Sequence, residues 1–365
     1  MSERRPLAAF AYAAALLLVA FVGSHRLLDG HAVAASTAAR TADDDASTDE
    51  LRLGYFPNVT HAAALVGLHE GIFEEALDGV ALEAQAFNAG PEAIQALLSG
   101  AIDASYLGPN PAINGFVQSD GDGLRIVSGA TAGGAFLVVR DGIESPADLD
   151  GATLATPQLG GTQDVALRAW LQEHGYDTTP EGGGDVRVLP QENGQTLDAF
   201  EQGTIDGAWL PEPWASRLVL EAGARVLVDE RDLWPDGRYV TTHLVVRTAF
   251  LEEHPDVVAR LLEGQVAANE FVNDHPEEAQ AAANDEIEAV TTKRISDEII
   301  AAAWEHLTFT NDPVASSLGA AAAAAHSVDL LDEVNLDGIY DLTLLNDVLA
   351  DHDLDAVSDE LTAAT

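Results

Sequence analysis

The sequence contains no cysteine and only one lysine, Lys293. The missing thiols exclude disulfides, thiolate metal sites, cysteine nucleophiles and a lipid-modified N-terminal cysteine. Basic residues are also scarce, since 17 Lys+Arg stand against 61 Asp+Glu and the formal net charge is −44. Binding to nucleic acid requires a basic face, so no nucleic-acid partner is expected.

The acidic residues are spread over the whole length of the chain rather than gathered in a tail. Such a surface repels itself at low ionic strength, whereas the screening length falls to roughly 3 Å at 1 M salt. We therefore interpret the sequence as that of a halophile's protein. Its 365 residues, of which 47% are hydrophobic, are enough for two folded domains with cores of their own.

The N-terminus has the pattern of an export signal. Arg4 and Arg5 precede an apolar run over residues 7–23, and residues 32–34 (Ala-Val-Ala) offer a small-x-small cleavage site. Residues 1–35 are thus predicted to be a signal sequence or, if uncleaved, an N-terminal membrane anchor, with twin-arginine and general secretory export both open. Residues 36–50 are small, polar and acidic, which predicts a disordered tether. The expected location is extracytoplasmic and associated with the cell surface.

From residue 51 onward, short β-rich runs alternate with helical stretches, as is typical of α/β proteins. Within this part, residues 100–103 (Gly-Ala-Ile-Asp) return as residues 203–206 (Gly-Thr-Ile-Asp), each time between a helix end and a short strand. Asn88 and Asn193 open the helices that precede these segments, in the same order. Matches in the same order predict an internal duplication and two similar lobes.

The duplication sets the predicted domain boundaries. Residues 51–139 and 241–365 are assigned to a first lobe, which includes the C-terminal helices, and residues 140–240 to a second lobe. The chain then crosses between the lobes twice, and two crossings make a hinge. Ligands of open α/β sheets bind at the carboxyl ends of the strands, so we expect a ligand in the cleft between the lobes.

Five loop segments carry a more specific pattern. They are Gly-Tyr-Phe-Pro-Asn at residues 54–58, Phe-Asn-Ala-Gly-Pro at 87–91, Gly-Pro-Asn-Pro at 108–111, Thr-Pro-Gln-Leu-Gly-Gly-Thr-Gln-Asp at 156–164 and Pro-Glu-Pro-Trp at 211–214. With them the chain resembles the sulfonate/nitrate/taurine family of ABC transporter substrate-binding proteins, and within it the aliphatic-sulfonate-binding group. The resemblance implies the type II periplasmic binding protein fold, an ABC permease with its ATPase as partners, and a ligand enclosed by lobe closure.

The resemblance also implies the class of ligand, a small organic anion such as an alkanesulfonate or taurine. Nitrate and vitamin precursors such as a thiamine pyrimidine stay open as alternatives, because the family includes their binders. Enzymes on the same fold are the less favoured reading, since the sequence has no Walker loop, no GxSxG, no HExxH and no metal-ligand spacing among its 11 histidines. We expect a monomeric binding protein without cofactor or metal that does no chemistry on its ligand.

The candidate ligand-binding residues lie in the loops that face the predicted cleft. They are Asn58, Thr60, His61, Asn88, Gly90, Gly108, Asn110, Thr131, Gly133, Gln158, Gly160, Gly161, Thr162, Glu212 and Trp214. The run Gly160-Gly161-Thr162 stands between a strand and a helix, where backbone amides, a hydroxyl and the helix N-terminus would cradle an oxyanion. Helix capping is the alternative for Thr162.

Other candidates have separate expected roles. His61 would donate to a sulfonate oxygen, Trp214 would form a wall of the pocket, and Glu212 would accept from a ligand amine. Gly133 serves the hinge or the ligand. No Arg or Lys is evident in these loops, so amides, hydroxyls and His61 are expected to bind an anion. Asp103 and Asp206 are interpreted as structural residues of the repeat.

Overall fold

The computed structural model describes residues 48–361. The predicted signal or anchor at residues 1–35, and residues 36–47 of the predicted tether, lie outside this range. Glu50, the last residue of that tether, already belongs to the first strand and aligns with Ala81. Within residues 48–361 no helix combines the length and the apolarity that a membrane crossing requires.

Strands and helices alternate through most of the described chain. The strands are β1 Glu50–Tyr55, β2 Ala81–Ala86, β3 Ala104–Leu107, β4 Leu124–Gly133, β5 Ala135–Val139, β6 Thr153–Thr156, β7 Arg187–Pro190, β8 Gly207–Pro211, β9 Arg225–Asp229, β10 Val240–Arg247 and β11 Leu307–Phe309. The α-helices are α1 Ala62–His69, α2 Ile72–Leu77, α3 Gly90–Leu98, α4 Pro109–Gln118, α5 Thr162–Glu173, α6 Asn193–Glu201, α7 Trp214–Ala222, α8 Thr248–Glu253, α9 Pro255–Asp274, α10 Pro276–Thr291, α11 Asp297–Trp304, α12 Ala315–Ser327 and α13 Thr343–Asp351.

The strands form two sheets of the same design. The first sheet has the order β11-β4-β10-β3-β1-β2, and the second has the order β7-β6-β8-β5-β9. Strands β2-β1-β3-β10-β4 therefore correspond to β7-β6-β8-β5-β9 position by position. The pairs β1/β3 and β6/β8 are parallel, while β10 and β5 run antiparallel to their neighbours. The predicted duplication is confirmed, and we call each sheet with its helices a lobe.

Two aspartates occupy equivalent positions in the lobes. The carboxylate of Asp103 accepts from the backbone N–H of Arg52 at 3.1 Å and pairs with its guanidinium at 2.7 Å. The carboxylate of Asp206 accepts from the backbone N–H of Thr153 at 2.8 Å and pairs with Arg140 at 3.1 Å. Each aspartate thus joins the start of one strand to the neighbouring strand, which agrees with its interpretation as a structural residue of the repeat.

The chain changes sheet at Gly133 and Gly134. Strand β4 ends at Gly133 in the first sheet, and β5 begins at Ala135 in the second. The crossing therefore precedes the predicted boundary at residues 139/140, because the apolar run over residues 135–139 is itself a strand of the second sheet rather than a connection to it. Val240 begins the return strand β10 in the first sheet, one residue before the predicted boundary at residues 240/241.

The first crossing depends on its two glycines. Gly133 and Gly134 have φ angles of 79° and 74°, in the left-handed region that disfavours side chains. A Cβ atom on Gly134 would lie 2.1 Å from the side chain of Leu307. The N–H of Gly133 donates to the carbonyl of Tyr239 at 3.2 Å, so the two crossings are hydrogen-bonded to each other.

The C-terminal third is largely helical. Helix α9 starts with Pro255 in its first turn, a position that suits proline because the missing N–H would have no acceptor there. It packs against α1, α2 and α13, and α10 packs against α1, so these helices cover the first lobe. Helices α11 and α12 also reach the second lobe, through α7 and α5.

Candidate functional site

A cleft with two chambers that share part of their lining lies between the loops of the two lobes. The inner chamber has a volume of about 60 Å³ and the outer chamber a volume of about 550 Å³. Both are lined by Phe56, Asn58 and Asn88 from the first lobe and by Gln158 and Asn193 from the second. The loops that follow β1, β2, β6 and β7 thus meet here, at the carboxyl ends of the parallel strands, where open α/β sheets bind ligands.

Four helices begin at the inner chamber. Its lining includes Gly90 at the start of α3, Gly108 just before α4, Thr162 at the start of α5 and Asn193 at the start of α6. The first N–H groups of a helix have no acceptor within the helix, and the helix dipole places about half a positive charge at this end. The arrangement surrounds the inner chamber with positive partial charge and favours an anion there.

Asp164 holds the loop that leads into α5. Its carboxylate accepts from the hydroxyl of Thr156 at 2.8 Å, from the N–H of Gly160 at 3.0 Å and from Nε of Arg168 at 3.0 Å. Asp164 and Arg168 are both buried. The buried ion pair therefore sets the shape of the loop that lies against the inner chamber.

The amides of this loop differ from the predicted cradle. The N–H of Gly160 donates to Asp164, and the N–H of Gly161 donates to the carbonyl of Gln158 at 3.1 Å. Both groups are engaged within the loop because the chain turns back on itself before the helix begins. The amide donors that remain for a ligand are the first N–H groups of α5, on Thr162 and Gln163.

Side-chain polar atoms of the inner chamber add further hydrogen-bonding capacity. Oγ1 of Thr162 is buried, and within residues 48–361 it has no hydrogen-bond partner. It lies so close to Gly108 of the other lobe that a Cβ atom there would be 2.5 Å away. Buried atoms of Gln158, Asn193 and Thr242 at the same chamber also have no partner in the described part of the chain. Buried polar groups normally have partners, so these atoms are suited to binding a ligand.

His61 is a neutral donor at the inner chamber. Its Nδ1 accepts from the N–H of Phe56 at 3.3 Å, and the two rings lie 4.4 Å apart. Burial lowers the pKa of His61 to about 3, so the ring is uncharged at neutral pH. Because Nδ1 is the acceptor, Nε2 carries the proton and is the donor of the ring.

The lining of the outer chamber combines aromatic surface with polar and charged side chains. Phe56, Phe87 and Trp214 line it, and the guanidinium of Arg217 lies 4.6 Å from the centre of the Trp214 ring. The charged side chains of its lining are Glu92, Glu192 and Lys293. The aromatic surfaces are suited to the carbon skeleton of an organic ligand, whereas the inner chamber is suited to its anionic group.

Ten of the fifteen predicted site residues line the two chambers. Those at the inner chamber are Asn58, Thr60, His61, Asn88, Gly90, Gly108, Gln158, Gly161 and Thr162. Trp214 lines the outer chamber, whereas Trp209 is fully buried and donates to Glu230 at 2.7 Å.

The other five predicted residues lie outside the lining of the two chambers. Asn110 is buried and donates from Nδ2 to the carbonyl of Ala321 at 3.2 Å. Thr131 is buried within β4, and Gly133 ends that strand at the crossing between the two sheets. Gly160 lies next to the lining and accepts from Nδ2 of Asn114 at 3.4 Å, across the lobes. Being close in sequence to a segment that forms the cleft therefore did not show whether a residue lines the cleft.

Glu212 is engaged away from the cleft. Its buried carboxylate accepts from the hydroxyl and the N–H of Ser216, at 2.8 and 3.0 Å, and pairs with Nδ1 of His306 at 2.6 Å. Glu212 therefore does not line either chamber, because Ser216 in the first turn of α7 and His306 hold its carboxylate elsewhere.

Several lining residues were not predicted from the sequence. Asn193 is the counterpart of Asn88 in the duplication, so the repeat itself was a usable signal. Thr241 and Thr242 come from the return strand β10, which carries no motif that would indicate the cleft. Lys293 was noticed only as the single lysine of the chain. No group of metal-binding side chains occurs within residues 48–361.

Comparison with known proteins gives the family. The profile of the NMT1-like family matches residues 44–285. The chain belongs to the NMT1-like family. It is 26% identical to the putative aliphatic sulfonates-binding protein of Bacillus subtilis over 244 residues, which are 65% of this chain and 69% of that protein. It is 27% identical to the taurine-binding periplasmic protein of Escherichia coli over 193 residues, which are 53% and 58% of the two chains.

A solved structure agrees with the fold of this NMT1-like protein. The alkanesulfonate-binding protein SsuA from Xanthomonas axonopodis pv. citri, bound to MOPS, superposes with a TM-score of 0.65 at 20% identity. The superposition covers 79% of this chain and 96% of SsuA. The predicted periplasmic-binding-protein fold of two α/β lobes is therefore confirmed.

Proposed function

We propose that this protein is the solute-binding component of an ABC importer and that it binds a small organic anion, an alkanesulfonate or taurine, between its lobes. The observation that carries the proposal is the composition of the inner chamber. None of the described residues that line it is acidic, although the chain has 61 Asp+Glu, and four helices begin at its wall. Helix N-termini, hydroxyls and the neutral His61 suit an anion without a fixed cation.

The outer chamber favours an organic anion over nitrate. Its volume of about 550 Å³ falls within the usual range of small-molecule sites, roughly 300–1,000 Å³. Nitrate would occupy only the inner chamber and leave Phe87 and Trp214, which line only the outer chamber, without contacts. Nitrate and a vitamin precursor are the alternative ligands. The relatives described above are named as binding proteins, and we infer that this chain likewise releases its ligand unchanged.

The proposal includes an export step and a membrane partner. A binding protein of this class would work outside the cytoplasm and deliver its ligand to an ABC permease driven by an ATPase. The N-terminal pattern of residues 1–35 supports export, as a signal sequence or as an anchor at the cell surface. A monomer would suffice, since both walls of the cleft come from one chain.

A thermal-shift screen in about 3 M KCl tests the proposed function. The compounds are alkanesulfonates, taurine, nitrate, sulfate and a thiamine pyrimidine. A ligand that binds only the folded state stabilises it by RT ln(1 + [L]/Kd), about 2.7 kcal/mol at 100 Kd. We expect the largest rise in melting temperature with a sulfonate. A rise with the pyrimidine or nitrate alone would contradict the choice of ligand.

Replacing Thr162 by Val is expected to weaken ligand binding. The change keeps the size of the side chain and removes the hydroxyl that lies buried at the inner chamber. A lost hydrogen bond to a charged group costs about 1.5–3 kcal/mol, which corresponds to roughly 10- to 150-fold in Kd. Titration calorimetry with the best sulfonate measures the change.

The matched control is Thr343→Val. Thr343, like Thr162, is the first residue of a helix, but it is exposed at the start of α13 and does not line the cleft. Its replacement is expected to leave Kd unchanged. If Thr162→Val also binds as tightly as the parent protein, the hydroxyl of Thr162 does not bind the ligand.

Ligand binding is expected to bring the lobes together. The two crossings at Gly133-Gly134 and Val240 form the proposed hinge, and both lobes contribute to each chamber. Small-angle X-ray scattering should then give a smaller radius of gyration at saturating ligand than without ligand. An identical radius in the two samples would argue against closure around the ligand.

A further inference from the structure

The only lysine of the chain lies at the cleft. Lys293 follows α10 and lines the outer chamber together with Thr291. The hydroxyl of Thr291 accepts from the N–H of Lys293 at 3.3 Å and lies 2.7 Å from the carbonyl of Ile287. The backbone at Lys293 is therefore tied to the last turn of the helix, while its side chain is exposed to the chamber.

Lys293 differs from its neighbour Arg294 in its partners. Arg294 pairs with the carboxylates of Asp285, Glu288 and Asp297. Lys293 has no carboxylate within the 4.0 Å of an ion pair in the part of the chain that the structure describes. Nine of the twelve arginines within residues 48–361 pair with a carboxylate, and Arg125, Arg187 and Arg225 are the exceptions. The ammonium group of Lys293 is thus available to a ligand.

Two carboxylates line the same chamber, and the position of each is explained by the helix next to it. Glu92 lies in the first turn of α3, and Glu192 stands immediately before α6. A negative charge is stabilised at a helix N-terminus by the dipole. A positive charge is likewise stabilised at the C-terminal end of a helix. At the end of α10 this charge is supplied by Arg294, which pairs with two carboxylates of that helix.

Salt limits the distance over which the charge of Lys293 acts on a ligand. At 1 M salt the screening length is roughly 3 Å, so an exposed ammonium does not attract an anion from a distance. In a high-salt medium Lys293 acts only on a group that it contacts in the bound complex. The inner chamber already suits one anionic group, and Lys293 lines the outer chamber but not the inner one.

We propose that Lys293 is a specificity-determining residue that binds a second acidic group at the outer end of the ligand. The preferred ligand class is then a sulfonate that also carries a carboxylate. This inference rests on the anion-binding function proposed above, with the sulfonate in the inner chamber and the carboxylate at Lys293.

The test compares three sulfonates that differ in one terminal group. These are 3-sulfopropanoate, propane-1-sulfonate and taurine, which end in a carboxylate, a methyl and an ammonium group, each used also with a longer chain. Titration calorimetry in about 3 M KCl gives Kd for the parent, Lys293→Met and Lys293→Arg. Arg294→Met is the control on the same loop, because Arg294 does not line the chamber.

The parent is expected to bind the carboxylate compound up to about 5-fold more tightly than the methyl compound, because an exposed ion pair contributes at most about 1 kcal/mol. Lys293→Met should lose the preference for the carboxylate compound and still bind propane-1-sulfonate as tightly as the parent. Lys293→Arg should keep most of the preference, and Arg294→Met should keep all of it.

The inference would be overturned if the parent and Lys293→Met showed the same preference for the carboxylate compound, even if Lys293→Met had a lower melting temperature. Tightest binding of taurine would overturn it in favour of Glu92 and Glu192. Binding of none of the sulfonates would instead refute the proposed function.

Discussion

Transfer from about 3 M to about 0.1 M KCl is expected to lower the melting temperature strongly or to unfold the protein. The cause is the excess of 44 negative charges. Two unit charges 10 Å apart in water repel by about 0.4 kcal/mol before screening. The screening length is about 10 Å at 0.1 M and 3 Å at 1 M, so salt removes most of this repulsion. A few dozen such pairs amount to several kcal/mol, comparable to the 5–15 kcal/mol stability of an ordinary protein.

Calorimetry across a KCl series measures the effect and its mechanism. Screening predicts that most of the gain comes below about 1 M, whereas exclusion of salt from the surface predicts a continued rise. A variant with Glu252→Gln and Glu253→Gln, two exposed acids at the C-terminal end of α8, should need less salt. The same melting temperature at 0.1 and 3 M KCl would refute the interpretation as a halophile's protein.

Replacing Asp164 by Asn is expected to cost about 3–5 kcal/mol of the free energy of unfolding. The change removes the carboxylate that pairs with buried Arg168 and leaves that guanidinium without a counter-charge. Asn also keeps only one acceptor oxygen, so its NH2 group must replace either the oxygen that accepts from Gly160 and Arg168 or the oxygen that accepts from Thr156. Ligand binding should weaken too, because this network shapes the loop at the inner chamber.

The control is an ion pair of the same spacing at the surface. Asp256 pairs with Arg260 at 2.7 Å, also four residues apart, but the aspartate side chain is 57% exposed. Asp256→Asn should cost no more than about 1 kcal/mol, since solvent screens such pairs. Urea denaturation at constant KCl gives both values. Equal losses for the two variants would show that burial of the Asp164–Arg168 pair does not set its contribution.

Much of the fold could be predicted because its signals are local. Alternating strand and helix patterns predicted the α/β class, and the repeat of residues 100–103 at residues 203–206 predicted two lobes of the same topology, as the sheets confirm. The boundary at residue 139 was placed too late, because an apolar run of five residues predicts a strand without indicating which sheet it joins.

The site was predicted less completely. Segments such as residues 156–164 indicated the right loops, and ten of fifteen candidates line the cleft. The sequence did not show which partner each polar group would bind. Gly160 and Glu212 were chosen for the ligand, yet their donors and acceptors bind Asp164, Ser216 and His306. Such pairings depend on backbone geometry within a turn and on contacts between distant segments.

The sequence by itself determined the charge, the absence of thiol chemistry, the fold class and the loops that form the cleft, because composition and contiguous patterns encode them. Only the tertiary structure decided which residues line the cleft. It brings Thr162 of one lobe against Gly108 of the other and sets Lys293, which lies far from either in the chain, at the outer chamber. No local pattern records that convergence, because it arises from the packing of whole lobes.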